Sequence, residues 1–276
     1  MLTQTQLATP GGSLNIAQGP NNGPLLILFH GFTNRWQMFL PILPALLPHW
    51  HVVAFDHRGH GGSSRLPEGQ AYNAHTFYED AEAVFDAFVP DGKVATLLGH
   101  SMGGSMALWL AANHPKRVLA VATGDTSLDI PKHIETMNNR RNGKLFALRR
   151  RMASLPVEDL LRRGMPLASA EELHCLDPRV MDKHAVSQVG DFFEGIRSFR
   201  LDDFRCPVLL TQANPAKGGI LQDDEIPPDL PAHPLITLLR FDLGHDLQIE
   251  QGPDSPFFQA AISFLMAQRA QPGAQS

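Results

Sequence analysis

Short apolar runs recur along the chain, separated by longer stretches of helical character. Each run is bounded by Gly, Pro or polar residues, and six of them predict strands: 25–29, 52–55, 94–98, 118–122, 208–210 and 236–241. Runs that are apolar on both faces are typical of strands buried within a parallel sheet. Helical patterns over 76–88 and 102–113 lie between them. This alternation predicts an α/β fold with a mostly parallel sheet flanked by helices.

The alternation stops between about 131 and 200, where helix-forming residues dominate and no strand pattern is found. We therefore expect a core made of 1–127 and 201–276, with a helical insertion over 128–200. The α/β order resumes near 206 and ends with a helical pattern over about 255–269. Residues 271–276 are predicted to be a frayed tail.

One motif dominates the chemistry: GHSMG at 99–103, directly after a predicted strand and directly before a predicted helix. A sharp strand-to-helix turn of the G-x-S-x-G type exposes the serine hydroxyl at the edge of a sheet. Ser101 is therefore the predicted nucleophile. Without that structural context the motif would be only a glycine-rich turn.

A second motif, HGF at 30–32, ends the run 25–29. Acyl transfer develops negative charge on a carbonyl oxygen, and two backbone N–H groups aimed at that oxygen stabilise it. The N–H of Phe32 and that of Met102, directly after the serine, are the expected oxyanion hole. The alternative is an ordinary turn at the end of a strand.

These motifs occur with DHRGHGGS at 56–63 and with a late Gly244-His245. In this order they resemble the α/β-hydrolase superfamily, over about 1–127 and 201–276, and the middle of the chain resembles that family's helical cap. The resemblance implies that Asp56 and Arg58 brace the loops of the active site. His245 follows the run 236–241 and comes after the serine, as the hydrolase chain order requires. Its imidazole can take the Ser101 proton as general base.

The acid of the triad is the point at which the chain departs from the family pattern. Its usual place is just after the run 208–210, where this sequence has Asn214 and no carboxylate. Asp125 follows the run 118–122 at the same expected sheet edge and preserves the order Ser, Asp, His, so we predict that it accepts the Nδ1–H of His245. The alternatives are Asp129, Asp223, Asp224 and Asn214.

A serine nucleophile argues against the dehalogenases and epoxide hydrolases of this superfamily, which use an aspartate there. The predicted function is carboxylic ester hydrolysis on a small to medium, largely apolar substrate. The alternatives are a C–C bond hydrolase acting on a diketone-like substrate and a ligand-binding receptor on a hydrolase scaffold. Besides Phe32 and Met102, the expected substrate pocket is lined by Trp36, His100, Leu128, Met137, Phe146 and Phe192.

Composition narrows the set of partners to a small-molecule substrate. The formal net charge of −5 does not suggest a nucleic-acid-binding chain. Neither of the two cysteines lies in a metal-binding or redox pattern, and the 13 histidines show no HExxH spacing, so no metal and no cofactor are predicted. No apolar run approaches the ~20 residues that span a bilayer, and we expect a cytoplasmic protein.

Overall fold

An eight-stranded sheet organises the protein, which is described here by a computed structural model covering residues 2–269. The strands are β1 (Thr3–Thr9), β2 (Gly12–Gln18), β3 (Leu25–Phe29), β4 (His51–Phe55), β5 (Ala95–His100), β6 (Val118–Gly124), β7 (Val208–Ala213) and β8 (Ile236–Phe241). They lie in the order β1-β2-β4-β3-β5-β6-β7-β8. The tail predicted at 271–276 lies outside the described residues.

The six strands β3 to β8 are parallel, and all six coincide with the predicted apolar runs. Side chains alternate between the two faces of the sheet, as the two-residue period of a strand requires. In β3, Ile27 and Phe29 belong to one buried cluster, while Leu26 and Leu28 belong to a second cluster on the opposite face. The predicted α/β fold is confirmed.

The sequence pattern missed the antiparallel hairpin of β1 and β2, which pairs with the sheet through β4. β1 is the outermost strand, and most of its residues are polar and exposed. An edge strand with so little apolar surface has no run that distinguishes it from a loop. β8 forms the other edge and is also more exposed than the buried strand that was predicted.

Helices cover both faces of this sheet. They are α1 (Leu43–Leu46), α2 (Ala74–Phe88), α3 (Met102–Asn113), α4 (Ile130–Met137), α5 (Arg140–Ala153), α6 (Val157–Arg162), α7 (Leu167–His174), α8 (Asp182–Ala185), α9 (Val189–Phe192) and α10 (Pro256–Arg269). Short 3₁₀ turns occur at Trp36–Ile42, Pro178–Met181, Leu201–Asp203, Pro215–Lys217, Asp223–Glu225, Leu230–Ala232 and Ile249–Asp254. Within 2–269, no helix combines the length and apolarity needed to cross a bilayer.

The chain between β6 and β7 contains helices α4 to α9 and, within the described residues, no strand. The two ends of this helical segment meet, because the Phe199 N–H donates to the Leu128 carbonyl at 2.9 Å and the Ile130 N–H donates to Ser198 Oγ at 2.9 Å. The buried Glu225 carboxylate, from the β7–β8 connection, accepts the N–H of Leu128 at 2.8 Å. The segment therefore leaves and rejoins the sheet at one place.

Candidate active site

Ser101 lies at the tight turn between β5 and α3, with a left-handed backbone (φ 55, ψ −122). Glycines make this turn possible: a Cβ on Gly103 would lie 2.1 Å from the Phe29 carbonyl oxygen, and one on Gly104 would lie 1.9 Å from Thr126 Oγ1. The Ser101 N–H donates to the Gly124 carbonyl at 2.7 Å, which ties the turn to the end of β6. This is the strand-turn-helix context that the motif requires.

Ser101, His245 and Asp125 form one chain of hydrogen bonds. Ser101 Oγ lies 2.9 Å from His245 Nε2, and His245 Nδ1 lies 2.6 Å from Asp125 Oδ2. Because Nδ1 faces a carboxylate, it carries the proton, and Nε2 is left to accept from the serine hydroxyl. The structure thus brings together the three residues predicted for the triad.

The Asp125 carboxylate is completely buried and is held by backbone N–H groups at the end of β7 and in the β7–β8 connection. Ala213 donates to Oδ1 at 3.1 Å, Leu221 to Oδ1 at 3.2 Å and Ile220 to Oδ2 at 2.8 Å. Burial raises the pKa of Asp125, but the hydrogen bond and charge of His245 and these N–H groups outweigh it, so that the pKa is lowered overall. The acid therefore stays ionised beside the imidazole.

The alternatives to Asp125 contact other groups. Within the described residues, the His245 side chain hydrogen-bonds only Ser101 and Asp125. The partners of the four alternatives are the Lys132 N–H for Asp129, the Gln212 amide for Asp223, the Lys132 ammonium for Asp224 and the Asp242 carboxylate for Asn214.

His100, next to the nucleophile, supports the loop that carries His245. Burial, followed by the electrostatic interaction with His245, lowers the pKa of His100 to about 3, so this imidazole is neutral. Its Nε2–H donates to the His245 carbonyl at 2.8 Å, and the two rings lie 4.9 Å apart. His100 also lines the cavity described below, as predicted.

The two predicted oxyanion-hole donors flank Ser101. Met102 is the first residue of α3, and Phe32 follows β3 at the same sheet edge. Within the described chain, neither the Phe32 N–H nor the Met102 N–H has a recorded hydrogen-bond acceptor, and both residues line the cavity. Two N–H groups beside a serine hydroxyl are the arrangement that stabilises a developing oxyanion.

His30, whose role the sequence interpretation missed, fixes the peptide that carries the Phe32 N–H. The His57 N–H donates to His30 Nε2 at 3.1 Å, so the proton of this buried ring is on Nδ1. Nδ1 then donates to the Gly31 carbonyl at 2.8 Å. The C=O of Gly31 and the N–H of Phe32 belong to one trans peptide and point in opposite directions. Holding the carbonyl therefore directs the Phe32 N–H away from it.

The motif at 56–63 has a bracing role. Asp56 accepts the Trp36 N–H at 2.8 Å and the Gly62 N–H at 3.0 Å, so it joins the loops that follow β3 and β4. The Arg58 guanidinium is buried against Asp80 of α2, with Nε 2.5 Å from Oδ1. Both side chains are thus occupied by structural contacts.

A cavity of about 850 Å³ lies between the sheet edge and the helical segment. Six of the predicted residues line it: Phe32, His100, Met102, Met137, Phe146 and Phe192. The prediction is wrong for Trp36 and Leu128, which are not among the residues that line the cavity. The 3₁₀ turn that begins at Trp36 directs this side chain into the cluster on the opposite face of the sheet. Leu128, fixed by Glu225, packs into the core beneath the segment.

Two further imidazoles line the cavity, His133 on α4 and His184 on α8. They could not be recognised from sequence, because an isolated histidine in a helical stretch has no distinctive spacing. Over residues 2–269, no group of three or more His, Cys, Asp or Glu side chains is arranged to hold a metal ion.

Sequence and structure comparisons point in the same direction. A serine hydrolase-like protein of Danio rerio is 32% identical over 143 residues, covering 51% of this chain and 43% of that protein. A 2-(acetamidomethylene)succinate hydrolase of Mesorhizobium japonicum is 31% identical over 124 residues, covering 45% of this chain and 41% of that protein. These alignments span less than half of each relative's length.

At the level of structure, a hydrolase from Pseudomonas aeruginosa superposes with a TM-score of 0.68 at 22% identity, over 98% of this chain and 99% of the other. That likeness establishes the fold. The family described as alpha/beta hydrolase fold matches residues 24–195, more than half of the sequence. The chain belongs to the α/β hydrolase fold family.

Proposed function

We propose that this chain is a serine hydrolase that cleaves carboxylic esters through an acyl-enzyme on Ser101. The observation that carries the proposal is the continuous hydrogen-bond chain from Ser101 Oγ through His245 to Asp125, with distances of 2.9 and 2.6 Å. A serine hydroxyl is a weak nucleophile unless an adjacent base takes its proton, and this contact supplies the base.

The reaction has two balanced halves. In the first, Ser101 Oγ attacks the ester carbonyl while His245 Nε2 takes its proton, and the tetrahedral oxyanion accepts the N–H groups of Phe32 and Met102. The C–O bond then breaks as His245 returns the proton to the leaving alcohol. In the second half, His245 deprotonates a water, which attacks the acyl-enzyme and releases the acid. Asp125 stabilises the imidazolium in both halves.

The substrate enters, in this proposal, between the sheet edge and a cap formed by 128–200. Supporting the assignment, the ends of this segment are hydrogen-bonded to each other, and its helices supply Met137, Phe146 and Phe192 to the cavity wall. A largely apolar cavity wall with a few polar groups is typical of small-molecule sites.

The receptor alternative was motivated by the missing acid after β7. The contact between Asp125 and His245 weakens the case for a receptor, because a protein that only holds a ligand does not need a complete triad. Among residues 2–269, no feature favours C–C cleavage over ester cleavage.

The test pairs covalent labelling with turnover. A fluorophosphonate probe should label the wild-type protein and not Ser101→Ala, and p-nitrophenyl esters should release p-nitrophenolate only with the wild type. Circular dichroism of Ser101→Ala controls for folding. Labelling that persists in a folded Ser101→Ala protein, or wild-type protein that neither labels nor turns over any ester, would reject the proposal.

A further inference from the structure

His184 is a polar side chain enclosed by aromatic rings inside the cavity. It is only 4% exposed, and its ring lies 4.6 Å from Phe32, 5.0 Å from Phe146 and 4.7 Å from Phe192. Its Nδ1 is buried, and within the described residues no hydrogen bond is recorded to either ring nitrogen. Three aromatic rings from separate parts of the chain therefore surround this one imidazole.

His133 repeats this arrangement closer to the triad. Its Nδ1 is also buried without a partner among residues 2–269, and its ring stands edge-on to Phe193 at 5.1 Å. Phe193 in turn lies 5.0 Å from Phe192, the residue that contacts His184. The two imidazoles therefore stand along one aromatic pair, on the same wall of the cavity.

Electrostatic interactions link His133 to His245 of the triad and link His184 to His133. Burial and then the charge of His245 lower the pKa of His133 to about 4. Burial and then the electrostatic interaction with His133 lower the pKa of His184 to about 3. His133 thus lies within reach of both His245 and His184, and both rings stay neutral. A neutral imidazole carries one N–H donor and one acceptor nitrogen.

Buried donors and acceptors are normally paired, because an unpaired one loses its hydrogen bonds to water without replacement. Within the described residues, the Nδ1 atoms of both rings are enclosed, whereas Nε2 of each ring is neither enclosed nor hydrogen-bonded. Both residues line the cavity, so a ligand group can pair with the two Nε2 atoms. Since a neutral ring presents Nε2 as a donor in one tautomer and as an acceptor in the other, an uncharged group that offers both, such as an amide or a hydroxyl, matches either form.

We propose that His184 and His133 form a polar subsite that hydrogen-bonds an uncharged amide or hydroxyl group at the remote end of the substrate. The physiological substrate is accordingly an ester with a donor-acceptor group beyond the scissile bond, and not a plain alkyl ester. This inference rests on the proposed ester hydrolysis and names the substrate class of the same site.

Matched ester pairs test the inference. In the acyl half, p-nitrophenyl N-acetyl-β-alaninate has the same chain length as p-nitrophenyl hexanoate. In the alcohol half, 2-acetamidoethyl butyrate matches pentyl butyrate. With wild-type protein, kcat/KM for the amide member of at least one pair should exceed that for its alkyl partner by roughly tenfold, the effect of a satisfied buried hydrogen bond. A p-nitrophenyl adipate monoester measures any preference for a carboxylate instead.

Substitutions of the two histidines test whether they cause the preference for the amide ester. His184→Phe and His133→Phe keep aromatic bulk and should each reduce the ratio of kcat/KM between the amide ester and its alkyl partner to about twofold or less. His184→Gln retains a donor and an acceptor and should restore part of the preference. His174→Phe, at an exposed position of α7, is the matched control and should behave as wild type.

A binding measurement separates this inference from catalysis. In ¹⁵N-histidine-labelled Ser101→Ala protein, the preferred amide ester should shift the ring-nitrogen signals of His184 and His133, and the alkyl ester should not. Equal rates for both members of both pairs, a preference for the carboxylate, or a preference that survives in folded His184→Phe and His133→Phe would overturn the subsite. Absence of turnover with every ester would reject the proposed function, and the ring-nitrogen shifts would then decide the subsite alone.

Discussion

The proposed triad at the sheet edge and the two imidazoles on the helical wall of the cavity differ in how many hydrogen bonds their side chains make. At the edge, each polar atom of the triad has a close partner, and Asp125 alone accepts from His245 and three backbone N–H groups. On the wall, the imidazoles of His133 and His184 have no recorded partner within the described residues. Polar groups that make all their hydrogen bonds hold a fixed geometry, whereas polar groups without a hydrogen-bond partner are available to a ligand.

This difference separates two functions in space. The chemistry rests on the ends of parallel strands, which are rigid and meet at one edge, so its geometry is set before any substrate arrives. In the proposed function, substrate recognition rests on the segment 128–200, which leaves and rejoins the sheet at one point. The wall can therefore change its side chains without moving the reacting atoms.

The largest expected effect comes from replacing Asp125, whose carboxylate is fully hydrogen-bonded. Asp125→Asn should lower kcat by about 10³ to 10⁴, because an amide favours the wrong imidazole tautomer and cannot stabilise the imidazolium. Steady-state kinetics with a p-nitrophenyl ester measures the effect. Asn214→Ala is the matched control at the position after β7 and should stay within about threefold of wild type, because Asn214 contacts Asp242 and not His245. A nearly silent Asp125→Asn would show that His245 is oriented by another group.

A smaller effect is expected at His30, which we regard as a positioning residue. His30→Phe removes one of the two hydrogen bonds that the Gly31 carbonyl accepts, the other being from the Asn34 N–H at 3.0 Å. The Gly31–Phe32 peptide is then held less firmly, and kcat should fall by about 10-fold with little change in KM. His57→Phe is the control, because its ring packs 4.7 Å from His30 while neither of its nitrogens is hydrogen-bonded. Equal kcat values for the two variants, both folded by thermal melting, would contradict this role.

The smallest expected effect concerns stability as the pH falls. Burial is the main cause that lowers the pKa of His100 to about 3 and that of His184 to about 3. Their unfolded pKa is about 6.5. Below that value the unfolded state binds protons that the folded state does not, so stability present above about pH 6.5 is lost as the pH decreases towards the folded pKa values.

Between pH 7 and pH 5.5, the unfolding free energy of His184→Phe should therefore decrease by about 1 kcal/mol less than that of the wild type. Urea titrations at the two pH values measure this difference, with His174→Phe as the exposed control. Parallel losses in wild type and His184→Phe would show that His184 is protonated without penalty.

The parts of this molecule that were predictable from sequence depend on local rules. Ser101 was found because a strand, a tight glycine turn and a helix follow one another within a few residues. The choice of Asp125 followed from the geometry of parallel strands, whose carboxyl ends share one edge. β1 could not be found, since its polar, exposed residues carry no run that differs from a loop.

The cavity wall was less predictable, because the direction of a side chain in a short helix is fixed by distant packing. Phe146 and Phe192 were placed correctly, but Trp36 points to the opposite face through the turn that it begins. The unpaired state of His184 depends on the rings around it, which come from three separate parts of the chain. No spacing rule on a single sequence carries that information.

The three main-chain hydrogen bonds to Asp125 also determine which substitutions this part of the chain can accept. Ala213, Ile220 and Leu221 hold the carboxylate through their main-chain N–H groups, which any residue except proline provides. Between them, Pro215 to Gly218 line the cavity. Mutation can therefore diversify the middle of this loop, and with it the choice of substrate, while the anchorage of the acid is inherited unchanged.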